Sequence, residues 1–207
     1  MAVFRAARTS VAPNLARRQD MYAKPPLKET GHLKLLYVSR IHPMKNLEQL
    51  LRLLPRVTGR VELSLYGPVE DAAYFARCQE WIDRLPDTIT VTYRGILPAD
   101  EVARAHKQHH ALVLLSRGEN FGHAIAEALG NGRPVLISDR TPWLKLDAAG
   151  VGFDVPLEDD DAIVRRLQQL VDLDDPGYQT MSRLAYAYAK RRSGQNEALT
   201  HYQMLFD

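Results

Sequence analysis

The sequence predicts an α/β fold, a doubly wound, Rossmann-like parallel sheet with helices on both faces. Three observations carry this reading. Short continuous apolar runs recur from about residue 33 onward, as in "LKLLYVS", "VELSLYG", "ALVLLS" and "PVLISD". Such runs suit strands buried on both faces of a parallel sheet. Segments with apolar residues at helical spacing lie between them, and the connections are short.

The elements follow in order. "LKLLYVS" is a strand over 33–39, and the leucines of "NLEQLLRLLPRV" place a helix over 46–57. "VELSLYG" is a strand over 61–67, ended by Gly67-Pro68. "EDAAYFARCQEWIDRL" is an amphipathic helix over 70–85, stopped by Pro86. "TITVTYRG" alternates and is β-branched, which makes 88–95 a strand. "PADEVARAHKQ" reads as a helix over 98–108, with Pro98 near its start and acids in its first turn. A strand over 111–116, a helix over 123–132 ended by glycine and a strand over 134–139 come next. A short strand over 149–156 and helices over 159–173, 176–192 and roughly 194–206 complete the chain. Residues 1–31 lack periodicity and read as an entry linker or remnant, leaving 32–207 as one domain.

Composition narrows the classes. The 207 residues are 45% apolar and 25% charged, enough for a full core in a soluble domain. A single cysteine, Cys78, excludes an internal disulfide and fits a reducing compartment. No run approaches the roughly 20 apolar residues of a membrane span. The net charge of +2 is too small to suggest nucleic acid. The basic start, "MAVFRAARTSVAPNLARRQD", lacks the apolar run of a secretory signal, and Pro13 interrupts a transit-peptide pattern. Its basic residues read as a solvated segment.

Ligands of doubly wound sheets bind beyond the carboxyl ends of the strands. Three loops qualify: "SRIHPMKN", "YRGILP" and "SRGENFGHAIAE". In the first, Arg40 and Lys45 stand beside a helix N-terminus, a setting that suits a diphosphate; an exposed basic loop fits them equally well. In the last, Gly118 and Gly122 allow close backbone approach, and amides near Phe121–Ala124 can meet hydroxyl or phosphate oxygens. Glu119 stands in the loop, open to sugar hydroxyls. Glu127 lies about one turn into the helix, where an ionised carboxylate can accept both hydroxyls of a ribose. Spacing alone also allows Glu119 as a first-turn acid and Glu127 as a solvent-facing helix residue.

The stretch "ENFGHAIAE" is an E-x7-E pattern. Together with "SRIHPMKN", "EALGNGRPVLISDRTPW" and "GVGFDVPL", it resembles the C-terminal, donor-binding domain of the retaining family 4 glycosyltransferases, which have the GT-B fold. The resemblance covers about residues 9–207. It implies that Arg40 and Lys45 hold the donor diphosphate and stabilise the leaving group. It implies that Glu119 contacts the transferred sugar and Glu127 the ribose. Asn120, Phe121 and Gly122 match the loop whose backbone meets sugar and phosphate, with Ser39 and His123 beside it. Arg94 and Ile96 match the loop against which the base packs. Asn46 stands where many members have glycine. His123 serves equally as packing at a helix start.

The resemblance also implies a nucleotide-diphosphate sugar as donor, UDP favoured over GDP, with no cofactor and no required metal. "EDDDA" (158–162) precedes a helix, where dipole complementation accounts for it. The family's acceptor-binding N-terminal domain has no counterpart in these residues. "RTSVAPNLARRQ" resembles the segment by which the family chain enters its C-terminal domain. The expectation is a donor domain, inactive or nearly so alone, from a cytoplasmic enzyme with room for peripheral membrane contact. The competing readings are a non-catalytic nucleotide-binding or docking module and a GT-B relative such as a nucleotide-sugar epimerase. No G-x-G-x-x-G follows the first strand and no G-x-S-x-G elbow appears, which argues against a dinucleotide oxidoreductase and a nucleophilic hydrolase.

Overall fold

Residue 22 and residues 24–194 are described by a computed structural model. The helix expected over 194–206 and most of the expected linker lie outside them. Six strands, β1 (His32–Val38), β2 (Arg60–Tyr66), β3 (Ile89–Tyr93), β4 (Ala111–Leu114), β5 (Val135–Ser138) and β6 (Gly152–Val155), form one sheet in the order β3-β2-β1-β4-β5-β6. Every neighbouring pair is parallel. Six helices cover both faces: α1 (Leu47–Leu53), α2 (Ala72–Ile82), α3 (Val102–Gln108), α4 (His123–Gly130), α5 (Asp160–Asp172) and α6 (Asp175–Gly194). Helix α1 packs on α2 and α5, and α4 packs on α6. The doubly wound sheet read from the apolar runs is therefore the observed fold.

Burial follows sequence. Leu33, Leu35, Leu36, Leu63, Leu65, Val113 and Leu136 are almost wholly excluded from solvent. A parallel strand covered by helices on both sides can carry apolar side chains at successive positions. Element ends are set by local chemistry. Asp71 caps α2, accepting from Tyr74 N at 2.8 Å, so α2 starts after Glu70. Pro55 tightens the end of the first helical run into a 3-10 turn over Leu54–Arg56, so α1 is shorter than 46–57. Glu101 N donates to Pro98 O at 3.0 Å, and this turn delays α3 to Val102. Asp159 caps α5 by accepting from Ala162 N at 2.7 Å, while Asp160 and Asp161 pair with Arg52 and Arg56.

The strand order reverses between β1 and β4. Their register is short, Leu35 to Ala111 and Leu36 to Leu112. Beyond it the two chains part, one into the loop from Ser39 to Asn46, the other into the loop from Leu115 to Gly122. A crevice at this reversal is where a doubly wound sheet takes its ligand.

Buried polar side chains anchor the edges. Lys28 is buried, and its ammonium donates to the carbonyls of Glu29, Val171 and Leu173 at 2.9, 2.8 and 3.1 Å. Burial pulls it down to about 8. Described residues of the expected linker thus pack against the end of α5. Fully buried Arg133 donates to His106 O at 2.6 Å and Lys24 O at 3.3 Å, tying the segment before β1 to α3. Among the described residues no helix is long and apolar enough to cross a membrane.

Candidate functional site

The loop after β1 is a tight device. Ser39 N donates to Tyr66 O at 2.9 Å, and Gly67 lets β2 end against it, since a Cβ there would stand 1.9 Å from Ser39 O. His42 caps a 3-10 turn, Pro43–Lys45, and Asn46 closes it at φ 54. Left-handed backbone is the preserve of glycine and, next, of asparagine. This is the physical reason that Asn46 can stand where the resemblance expects glycine. The turn places the Lys45 side chain across the crevice.

The loop after β4 meets it there. Lys45 Nζ donates to Glu119 Oε1 at 2.7 Å, with both side chains 12% exposed. Ser116 Oγ donates to the same oxygen at 2.8 Å. Ser138 Oγ in turn donates to Ser116 O, joining the ends of β4 and β5. Backbone ties fix the relative position of the loops: Arg117 N donates to Met44 O at 2.8 Å and Glu119 N to Arg140 O at 3.1 Å. Behind them Tyr37 is buried in β1, and burial pushes its phenol up, with Tyr74, Cys78 and Glu119 adding to the rise. It stays neutral, with its hydroxyl buried.

Helix α4 begins directly after. Gly122 has φ 76, and a Cβ there would lie 2.8 Å from Ile125 Cδ1. The first helical bonds run from Ile125 N and Ala126 N to Gly122 O, both 3.0 Å. Earlier amides of the turn precede that ladder and face outward from the helix end. The Phe121 and His123 rings touch in a tilted arrangement, with centroids 4.7 Å apart. Asn120 and His123 are exposed, and Glu127 is half-buried one turn along.

The expected residues do not all converge. Lys45, Glu119 and the turn from Asn120 to His123 come together. Arg40 lies apart from that pair, exposed, with Nη1 donating to Glu70 at 2.9 Å. Arg94 turns back along β2, its Nε donating to Ser64 Oγ at 3.1 Å. Ile96 is 69% exposed on the same loop, a bare apolar platform. Sequence reasoning passed over Ser116 and Ser138, although both apolar runs visibly end in serine. It also passed over the contact from Trp143 Nε1 to Phe121 O, 2.6 Å, which no spacing rule reveals.

A part-buried cation and carboxylate from separate loops thus meet beside a helix start at the reversal of a Rossmann-like sheet, an arrangement chemically able to meet anionic and hydroxyl groups. The family described as "Glycosyl transferases group 1" matches residues 19–191, and the chain belongs to it. Solved structures agree on the fold. Sucrose-phosphate synthase from Thermosynechococcus elongatus is 22% identical with a TM-score of 0.65, covering 90% of this chain and 47% of its own. S. aureus TarM, solved with UDP, fondaparinux and alpha-GlcNAc-glycerol, is 16% identical with a TM-score of 0.72, covering 99% of this chain and 40% of its own. Anabaena HepE in complex with UDP and glucose is 23% identical with a TM-score of 0.66, covering 84% and 47%. The chain thus spans less than half the length of each. The α/β sheet is one half of the GT-B architecture.

Proposed function

We propose that this chain is the donor-binding domain of a retaining, metal-independent glycosyltransferase that uses a nucleotide-diphosphate sugar. The observation that carries the reading is the Lys45–Glu119 contact, 74 residues apart in sequence and 2.7 Å apart in space. On this reading Lys45 is the cation that meets phosphate and Glu119 the acceptor for sugar hydroxyls, and their contact at the switch point supports it. Lys45, joined by Arg40 when Glu70 releases it, neutralises the departing diphosphate; cations aimed at the leaving group do the work a metal does elsewhere. Glu119 accepts hydroxyls of the transferred sugar, Glu127 accepts those of the ribose, and amides of Asn120–His123 meet sugar and phosphate. Ile96 offers a face to the base, with Arg94 behind it. UDP is favoured over GDP; two of the similar structures carry UDP.

In the reaction the bond from the anomeric carbon to the diphosphate oxygen breaks. A bond to an acceptor hydroxyl forms on the same face, and the hydroxyl proton leaves toward the diphosphate. The acceptor needs a second wall to hold it in a dry cleft, which an N-terminal domain supplies in the intact enzyme. Alone, this chain binds donor weakly and transfers at no useful rate. Calorimetric titration with UDP, GDP and their sugars tests the proposal, with Lys45→Ala and Glu127→Ala alongside. Binding of one nucleotide, weakened in both variants, is expected. Binding that survives both unchanged points instead to a docking module whose glutamates are incidental.

A further inference from the structure

The indole of Trp143 is only 4% exposed, yet its one polar atom is spent on the glycine turn. Nε1–H donates to Phe121 O at 2.6 Å, and the two rings lie edge to face with centroids 6.3 Å apart. A Cβ on Gly122 would meet the same nitrogen at 3.1 Å, so the turn rests directly on the indole. The Phe121–Gly122 peptide is trans, as every described peptide bond is. In a trans peptide the C=O and the next N–H point in opposite directions. Pinning Phe121 O inward on a buried indole therefore aims the Gly122 N–H outward, together with the free start of α4.

Trp143 is itself held. Its N–H donates to Thr141 Oγ1 at 3.2 Å within the turn after β5. Arg192, near the end of α6, places its guanidinium 4.1 Å from the ring centroid and donates to Pro142 O at 3.3 Å. Arg192 also donates to the Tyr188 hydroxyl at 3.2 Å, and Tyr188 lies 6.5 Å from the indole. A guanidinium over a tryptophan face is a favourable contact. The chain of contact runs from α6 through Arg192 and Trp143 to Phe121.

We propose that Trp143 is a positioning residue for the donor turn, holding the Phe121–Gly122 peptide with its amide toward the sugar diphosphate, and that Arg192 holds the indole in place. The proposal rests on the donor-site reading. It also gives the C-terminal end of α6 leverage over the turn, since displacing Arg192 loosens the indole that supports it.

Two readouts on the purified chain test it. The first is amide hydrogen exchange without ligand, comparing wild type with Trp143→Phe, Arg192→Ala and Arg192→Lys. The second is calorimetric affinity for UDP-glucose. Trp143→Phe keeps the ring and removes the donor. Faster exchange confined to Ile125 and Ala126, whose amides close on Gly122 O at the base of the turn, with β4 and β5 unchanged, is expected, and affinity falls roughly three- to tenfold, the worth of one hydrogen bond shifting the competent population. Arg192→Ala moves both readouts in the same direction by less, and Arg192→Lys restores them. Unchanged exchange at the turn in both Trp143→Phe and Arg192→Ala overturns the proposal. So does a loss of affinity that accompanies faster exchange throughout β4 and β5, the mark of a general structural role. Wild-type chain that binds no UDP-glucose overturns the donor reading instead, and the exchange comparison still decides whether Trp143 pins the turn.

Discussion

Replacing Glu119 with glutamine should make the chain bind plain UDP more tightly. In the structure Lys45 is already neutralised by Glu119 at 2.7 Å, in a setting where both side chains are 12% exposed. An incoming diphosphate must take Lys45 from that carboxylate and then sit beside a second negative charge. A hydrogen bond between charged groups in such a place contributes about 1.5–3 kcal/mol net. Glutamine keeps an amide oxygen for Lys45 but removes the charge, so the lower end of that range, about 1.5 kcal/mol, is the competition relieved. The expected gain is about tenfold in UDP affinity. UDP-glucose should behave differently: in the proposed donor site Glu119 also accepts its sugar hydroxyls, so the gain is offset and the preference for sugar nucleotide over UDP shrinks. Isothermal titration of both ligands against both proteins measures the two effects. Glu119→Gln that leaves UDP affinity unchanged or lowers it would refute the competition. An unchanged preference for UDP-glucose would refute the sugar contact.

Other outcomes follow from the same geometry. Glu127→Ala should weaken UDP by roughly 10- to 100-fold, the cost of losing a charged acceptor for ribose hydroxyls, while 2′-deoxy-UDP discriminates less between the two proteins. Arg133→Met should lower stability by about 2–4 kcal/mol in urea titration, because its buried carbonyl partners on His106 and Gly132 lose a donor, with little change in UDP affinity. Acid should destabilise the fold through His110, whose imidazole burial pushes down to about 4 and whose two nitrogens serve Lys34 N and Leu27 O. Between about pH 6.5 and 4 the unfolded chain holds more protons on it than the folded chain, so stability falls as pH falls, by about 3 kcal/mol across the window, and levels off below it. His110→Gln, which can keep one donor and one acceptor, should flatten that slope in pH-dependent thermal melts.

The sheet was legible because its signal is one-dimensional. Runs such as "LKLLYVS" and "ALVLLS" are apolar at successive positions, and only a strand covered on both sides uses them so. Helix ends were less legible, since Asp71, Pro55 and the turn at Pro98 compete over single residues to set them. The crevice was legible as loops after strands. Which side chains meet in it was not: nothing local says that Arg40 faces Glu70, that Arg94 folds back on Ser64, or that Trp143 reaches Phe121. Nothing local in the sequence marks Lys28 and Arg133 as buried, and they are so because carbonyls from distant elements converge on them. Such contacts belong to tertiary structure, where residues more than 100 positions apart share one hydrogen bond.

The central claim is the place of the donor, and a crystal structure of the chain grown with UDP tests it most directly. The account predicts the diphosphate between Lys45 Nζ and the start of α4, the ribose on Glu127 and the Lys45–Glu119 contact opened. Nucleotide bound elsewhere, or at this crevice with Lys45 still on Glu119 and Glu127 facing solvent, would contradict it.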